Sequence, residues 1–280
     1  MPYTLSGLVI YPIKSIQGIS LESSNVEMTG LFGDRRYMLV KPNGLFITGR
    51  EHPNITLVSA EVIGEEQWSL SHPDMPHNIV ISPSIFAEQY KSVTVWDDVL
   101  QGQTTSENIN DWFSEVAGEP VQLVHFGGAS ERFTSRRPDA PVAFADGYPF
   151  LLTSEASLEE LNRSCPKDID MMQFRPNLVV KGNYPFEEDS WKRIRIGQVE
   201  FENVKPCVRC IFTTLNPKTA ERIGKGEPLK TLGKFRLLGK DGVTFGVNMI
   251  AMNTGSIQLD DSIEVLEYRE PEKYVDRRKA

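Results

Sequence analysis

The sequence predicts a mainly β fold with a few short helices, and three observations carry that reading. Short apolar, β-branched runs recur from Leu5 onward and stop at clusters of Gly, Pro and Asn, the punctuation of an all-β chain. Helical periodicity shows in only two places. A Cys-x-x-Cys loop near residue 210 reads as leading into a strand, because Ile211-Phe212-Thr213-Thr214-Leu215 is β-branched and aromatic.

Taken in order, residues 5–13 alternate apolar side chains around Gly7, read as a strand, and end at the turn Pro12-Ile13-Lys14-Ser15. Residues 26–28 and 30–40 follow as strands, and Lys41-Pro42-Asn43-Gly44 is a turn returning into Leu45-Phe46-Ile47. Strands are expected at 56–63, 68–70, 78–81 and 92–96. Ser106 caps a helix, since Ile109, Trp112, Phe113 and Val116 follow the i, i+3, i+4, i+7 pattern and Gly118 sits just past its end. Residues 121–126 read as a strand, and 127–140 as a polar, basic loop with three arginines, mobile or wrapped near a ligand. A second helix, over 155–163, has Ser154 as its cap and a narrow apolar face. Arg175 and Asn177, two apart at a strand entry, should point to one face, where such a pair can grip an oxyanion or a heterocycle. Residues 193–204 form a hairpin that delivers the chain to the cysteines. Strands at 245–250 and 262–266 follow, and the charged end from 268 is expected to fray.

At 280 residues the chain fits one large or two ordinary domains, and 40% hydrophobic content is enough for a proper core. A net charge of −8 argues against nucleic acid as a partner, so any anion site must be built from local cations. Three irregularly spaced cysteines point to a reducing compartment, and no export signal or apolar span is visible; the expected location is the cytoplasm, with no membrane partner.

Pro206-Cys207-Val208-Arg209-Cys210 is read as a metal-site loop. A thiolate there binds a soft metal, and Arg209 both favours a thiolate and suits a phosphate. Other readings stay open on the residues alone. A structural zinc site lacks a second ligand pair, a thioredoxin-like dithiol should open a helix, and two buried cysteines can be ordinary small hydrophobes.

Five segments together resemble the MOSC-domain family, molybdenum-cofactor proteins that include the amidoxime-reducing enzymes. Ile10-Tyr11-Pro12-Ile13-Lys14-Ser15 and Gly33-Asp34-Arg35-Arg36 are similar to the family's N-terminal β-barrel module. Phe144-Ala145-Asp146-Gly147-Tyr148-Pro149-Phe150 with Ser154-Glu155-Ala156, then Phe174-Arg175-Pro176-Asn177, then the Cys207–Cys210 loop with Thr213-Thr214, are similar to the MOSC barrel. The resemblance covers nearly the whole chain and implies an N-terminal module over 1–105, a MOSC domain over 106–268 and a charged tail over 269–280.

It further implies the molybdenum cofactor, molybdenum on a pterin dithiolene, with Cys210 as the metal's protein ligand and a catalytic residue. Cys207 is then a neighbouring or packing residue. The resemblance places Lys14, Ser15, Arg35, Arg175, Asn177, Val208 and Arg209 around the pterin and its phosphate. Asp146 falls on the metal side, where orienting a water, delivering a proton and a purely structural role are all open. The implied activity is reduction of N-hydroxylated compounds, hydroxylaminopurine-type bases or amidoximes; the alternative is a cofactor carrier or sulfur-transfer module. Pyridoxal phosphate binding is left open.

Some bacterial relatives carry a C-terminal ferredoxin-like domain, but no cysteine follows Cys210 here, so no iron–sulfur cluster is expected in this chain. Either the electron donor is a separate protein, a flavin reductase or a ferredoxin-like protein, or such a domain was removed.

Overall fold

The computed structural model describes residues 2–278. Its centre is a closed ring of seven strands in the order Phe150–Ser154, Leu178–Lys181, Tyr3–Ile10, Ser262–Tyr268, Trp191–Ile196, Val199–Val208 and Gly242–Ala251, with the last pairing back onto the first. The fold is mainly β. All neighbours in the ring are antiparallel except Phe150–Ser154 against Leu178–Lys181. A parallel pair needs a crossover, and the helix Glu155–Ser164 supplies it.

Period-two alternation fills this barrel. Ile194 and Ile196 point into the core with Phe150, Phe201 and Met249, while Arg193 and Arg195 face outward onto Glu200 and Glu264. The N-terminal strand shifts register between Leu5 and Gly7, and a Cβ at Gly7 would lie 2.9 Å from that of Val179. Glycine there lets the two strands close the ring. Tyr3–Ile10 is thus built into a barrel otherwise formed by strands after residue 149.

Residues 37–125 make a four-stranded sheet, Tyr37–Val40, Gln122–His125, Asp98–Thr104 and Tyr90–Val95, and a three-stranded sheet over residues 59–81, while Ser23–Glu27 and Gly30–Leu31 form a small sheet with Gly255–Gln258. The helix Glu107–Ala117 packs Ile109, Trp112, Phe113 and Val116 into this core, on the predicted face, and Gly118 ends it at φ 73°. Neither predicted serine cap forms: the Ser106 hydroxyl bonds Asn108 at 2.5 Å, and the Ser154 hydroxyl is buried without a partner.

Three local expectations are corrected. Cys207 lies at the end of the strand Val199–Val208, and Cys210 leads out of it into a 3₁₀ turn, Ile211–Thr214, not into a strand. Arg175 is not at a strand entry; it ends the 3₁₀ turn Met171–Phe174 in the left-handed region at φ 56°. The end of the chain does not fray up to residue 278. Tyr274 bonds Thr244 at 2.9 Å and stacks on Arg236, and Arg278 lies over Phe235 and bonds Glu160 at 2.5 Å.

Candidate functional site

All nine residues named from the sequence, Lys14, Ser15, Arg35, Asp146, Arg175, Asn177, Val208, Arg209 and Cys210, line one cavity of about 400 Å³. It opens where the N-terminal half meets one end of the barrel. The wall carries six cations, Lys14, Arg35, Arg50, Arg175, Lys205 and Arg209, against Asp146 as its one carboxylate among the described residues. Such a wall on an acidic chain favours an anionic occupant.

Four lining residues that are not glycine sit in the left-handed region: Ser15 at φ 77°, Arg35 at 46°, Trp96 at 55° and Arg175 at 56°. Backbone held this way costs on the order of 1–3 kcal/mol per residue and persists where the surroundings over-determine it. For Arg35 and Arg175 the surroundings are a network around Tyr11. Guanidinium carbons of Arg35 and Arg175 lie 4.3 and 4.0 Å from the Tyr11 ring centre. Arg35 donates to Asp34 at 2.7 Å, to the Asn177 side-chain oxygen at 2.9 Å and to the Arg175 carbonyl at 3.2 Å. Asn177 in turn donates to the Val9 carbonyl at 3.1 Å and accepts from the Leu151 N–H at 3.2 Å. Asn177 and Arg35 thus tie the barrel mouth together, and their bonds to the protein shape the cavity.

Burial lowers the Arg175 pKa to about 10, raises that of Tyr11 to about 12 and pushes the Asp34 carboxyl up against the pull of Arg35. Burial likewise lowers Lys14, whose ammonium donates to the Phe144 carbonyl at 3.0 Å and pairs with Asp146. The Asp146 side chain is 71% exposed on the cavity wall, and whatever desolvation it meets there is outweighed by the Lys14 charge and hydrogen bond, which hold the carboxyl well below the usual range.

The segment bearing Asp146 is pinned by Arg132. Its guanidinium donates to the carbonyls of Ala143, Ala145 and Asp146 at 3.1, 2.5 and 2.9 Å and to Asp98 at 2.7 Å. The basic loop expected to wrap a ligand therefore contributes, through Arg132, a buried clamp.

At the cysteines the surroundings differ. Arg209 donates to the Cys207 sulfur at 2.8 Å and to the Phe174 carbonyl at 2.6 Å, so Cys207 is engaged by the protein itself. Both cysteines line the cavity, Cys207 half-buried and Cys210 exposed. Thr213 and Thr214 bond back to the carbonyls of Cys210 and Ile211 at 2.9 and 2.7 Å, closing the turn that holds it. Sequence reasoning did not single out Arg50 and Trp96, which stack at 4.3 Å on the same wall; no local pattern links them.

A sulfur-ligated metal cofactor with an anionic tail fits these residues. An exposed soft thiol faces a cationic cavity, and Arg175 Nη2, Arg209 Nε and the Tyr148 hydroxyl are buried with no partner from the protein.

Comparison with known proteins adds the family. The MOSC N-terminal beta barrel domain matches residues 3–120 and the MOSC domain matches residues 139–264. The chain is 32% identical to mitochondrial amidoxime reducing component 2 of Bos taurus, over 93% of this chain and 82% of that protein. It is 31% identical to mitochondrial amidoxime-reducing component 1 of Danio rerio, over 93% and 84%, and 30% identical to the Homo sapiens component 1, over 94% and 83%. The chain belongs to the family of MOSC-domain proteins that includes the mitochondrial amidoxime-reducing components.

Proposed function

We propose that this protein is a molybdenum-cofactor-dependent oxidoreductase that reduces N-hydroxylated compounds, amidoximes or hydroxylaminopurine-type bases, with electrons from a separate redox partner. The observation that carries this reading is the exposed Cys210 thiol on a cavity lined by six cations and one carboxylate. The names of the relatives, amidoxime-reducing components, support the reaction class.

The cofactor, when bound, supplies the redox couple that cleaves the N–O bond. The chain's own residues bind, orient and move protons. Cys210 is the protein's thiolate ligand, and Arg175, Arg209, Lys14 and Ser15 hold the anionic part. Reduction of R–NH–OH to R–NH₂ consumes an electron pair and two protons and releases water, so a proton source must stand at the cavity. Asp146 stays ionised and orients water; buried Lys14, paired with it, is the group there that has a proton to give.

The test is a metal and pterin analysis combined with turnover of an amidoxime by reduced viologen. Full molybdenum content with turnover supports the reductase. Full content with no turnover favours a carrier or sulfur-transfer role.

A further inference from the structure

Five lysines crowd the stretch immediately after the cysteine turn: Lys218, Lys225, Lys230, Lys234 and Lys240. All are exposed, and none forms an ion pair among the described residues. Elsewhere Lys14, Lys41, Lys192 and Lys273 pair with carboxylates, while Lys91, Lys181 and Lys205 stand apart from one another in the chain and form no ion pair among the described residues. Lys167, exposed as well, extends the group, since its Cγ lies 4.0 Å from the position a Cβ would take at Gly224. Only Glu221 and Asp241 are exposed acids within residues 218–241. On a chain of net charge −8, this is a local reversal of sign.

The stretch is fastened to the site. Ile223 donates to the Thr214 carbonyl at 2.7 Å, and Arg222 donates to the Thr214 hydroxyl at 3.0 Å, both onto the turn that follows Cys210. Between the lysines and the thiol lies an exposed apolar rim: Val208 at 41%, Ile211 at 50% and Leu237 at 38% exposure. Val208 and Leu237 sit on the two sides of one strand, paired with Thr244 and Val243. A small apolar centre ringed by unpaired charge of one sign has the anatomy of a transient interface.

We infer that residues 218–240, with the rim of Val208, Ile211 and Leu237, form the docking surface for a small acidic electron-transfer protein, which approaches over Cys210. Charge complementarity names the partner class, since a protein with an acidic face around its redox group satisfies the five unpaired lysines and is steered to them. Position names the purpose, because electron transfer weakens steeply with distance and this surface borders the thiol. The inference rests on the reductase reading, in which electrons come from outside the chain.

The experiment uses an acidic flavodoxin as probe and measures its binding to the full chain calorimetrically at low ionic strength. The charge-reversed triple variant K225E/K230E/K240E should bind about tenfold more weakly or worse. Binding to the unaltered chain should fall steeply as salt is raised past physiological strength. Lys181→Glu, equally exposed but at the end of its strand away from the cavity, should bind like the unaltered chain. Reduced viologen, which needs no docking surface, should drive the triple variant at the unaltered rate. Equal binding by the unaltered chain and the triple variant overturns the inference. So does failure of the unaltered chain to bind flavodoxin at low ionic strength while binding anionic lipid vesicles through the same lysines. Absence of viologen turnover at full molybdenum content overturns the reductase reading alone, and the binding comparison still decides the surface.

Discussion

At Arg175 and Arg209 the protein leaves buried donor atoms without partners, Nη2 and Nε, while their other nitrogens hold Ile16, Phe174 and Cys207. A charge-assisted bond to a phosphate contributes about 1.5–3 kcal/mol. Arg175→Ala and Arg209→Ala should each lower cofactor occupancy by roughly tenfold in affinity or more, read as molybdenum and pterin per chain. Full occupancy in both would remove the anion-cradle role. Lys14 controls Asp146 in the same direct way. In Lys14→Met the carboxyl loses the charge that holds its pKa down, so its titration, followed by carbon NMR of the side chain, should move up toward or past the usual carboxylate range. An unchanged titration would mean that Lys14 does not set it.

Elements, more than isolated residues, decided what could be read from sequence. The helix Glu107–Ala117 was legible because its buried residues repeat with the helical period and Gly118 terminates it. Many strands were legible from alternation and punctuation, but Asp98–Thr104 and Gly255–Gln258 were missed, and the strand expected over 30–40 is broken by a turn into Gly30–Leu31 and Tyr37–Val40. The site motifs were legible as short strings, yet their geometry was not. Ile211-Phe212-Thr213-Thr214 has strand composition, but the two threonine hydroxyls find carbonyls three residues back and close a 3₁₀ turn. Arg175 has no feature that marks a left-handed residue; the network around Tyr11 imposes it. Arg50 and Trp96 meet only through tertiary structure. Arg132, read as one more loop cation, holds three carbonyls of the segment bearing Asp146. Arg132→Ala leaves those acceptors buried and unpaired, a loss of about 1–3 kcal/mol that should appear as a lowered melting temperature. The short turn Glu187–Ser190 offers a pH test. Burial, and then the neighbouring Asp189 carboxylate, raise the Glu188 pKa to about 8. The unfolded chain gives up this proton first, so stability falls as pH rises from the ordinary glutamate range to about 8. Glu188→Gln escapes that loss, and its advantage in melting temperature should grow from pH 5 to pH 8 and then level off. A constant difference across that range would contradict the assignment.

For the whole molecule, the strand Tyr3–Ile10 laced into the barrel and the strap of Tyr274 and Arg278 on Arg236 and Phe235 join the first and last described segments to the half that holds the cysteines. Removing residues 269–280 should lower the melting temperature without abolishing viologen-driven turnover, since the strap contacts Thr244, Arg236 and Glu160 and not the cavity wall. The sequence shows no Gly-rich nucleotide fingerprint, so NADH or NADPH alone should support no turnover, and an added flavin reductase should restore dependence on the nucleotide. The central claim, that Cys210 is the thiolate on which the chemistry depends, is tested most directly by reduction of an amidoxime with reduced viologen in Cys210→Ser and Cys207→Ser beside the unaltered protein. The prediction is that Cys210→Ser is inactive and Cys207→Ser, whose sulfur is held by Arg209, keeps a substantial part of the rate. Activity retained in Cys210→Ser and lost in Cys207→Ser would contradict it.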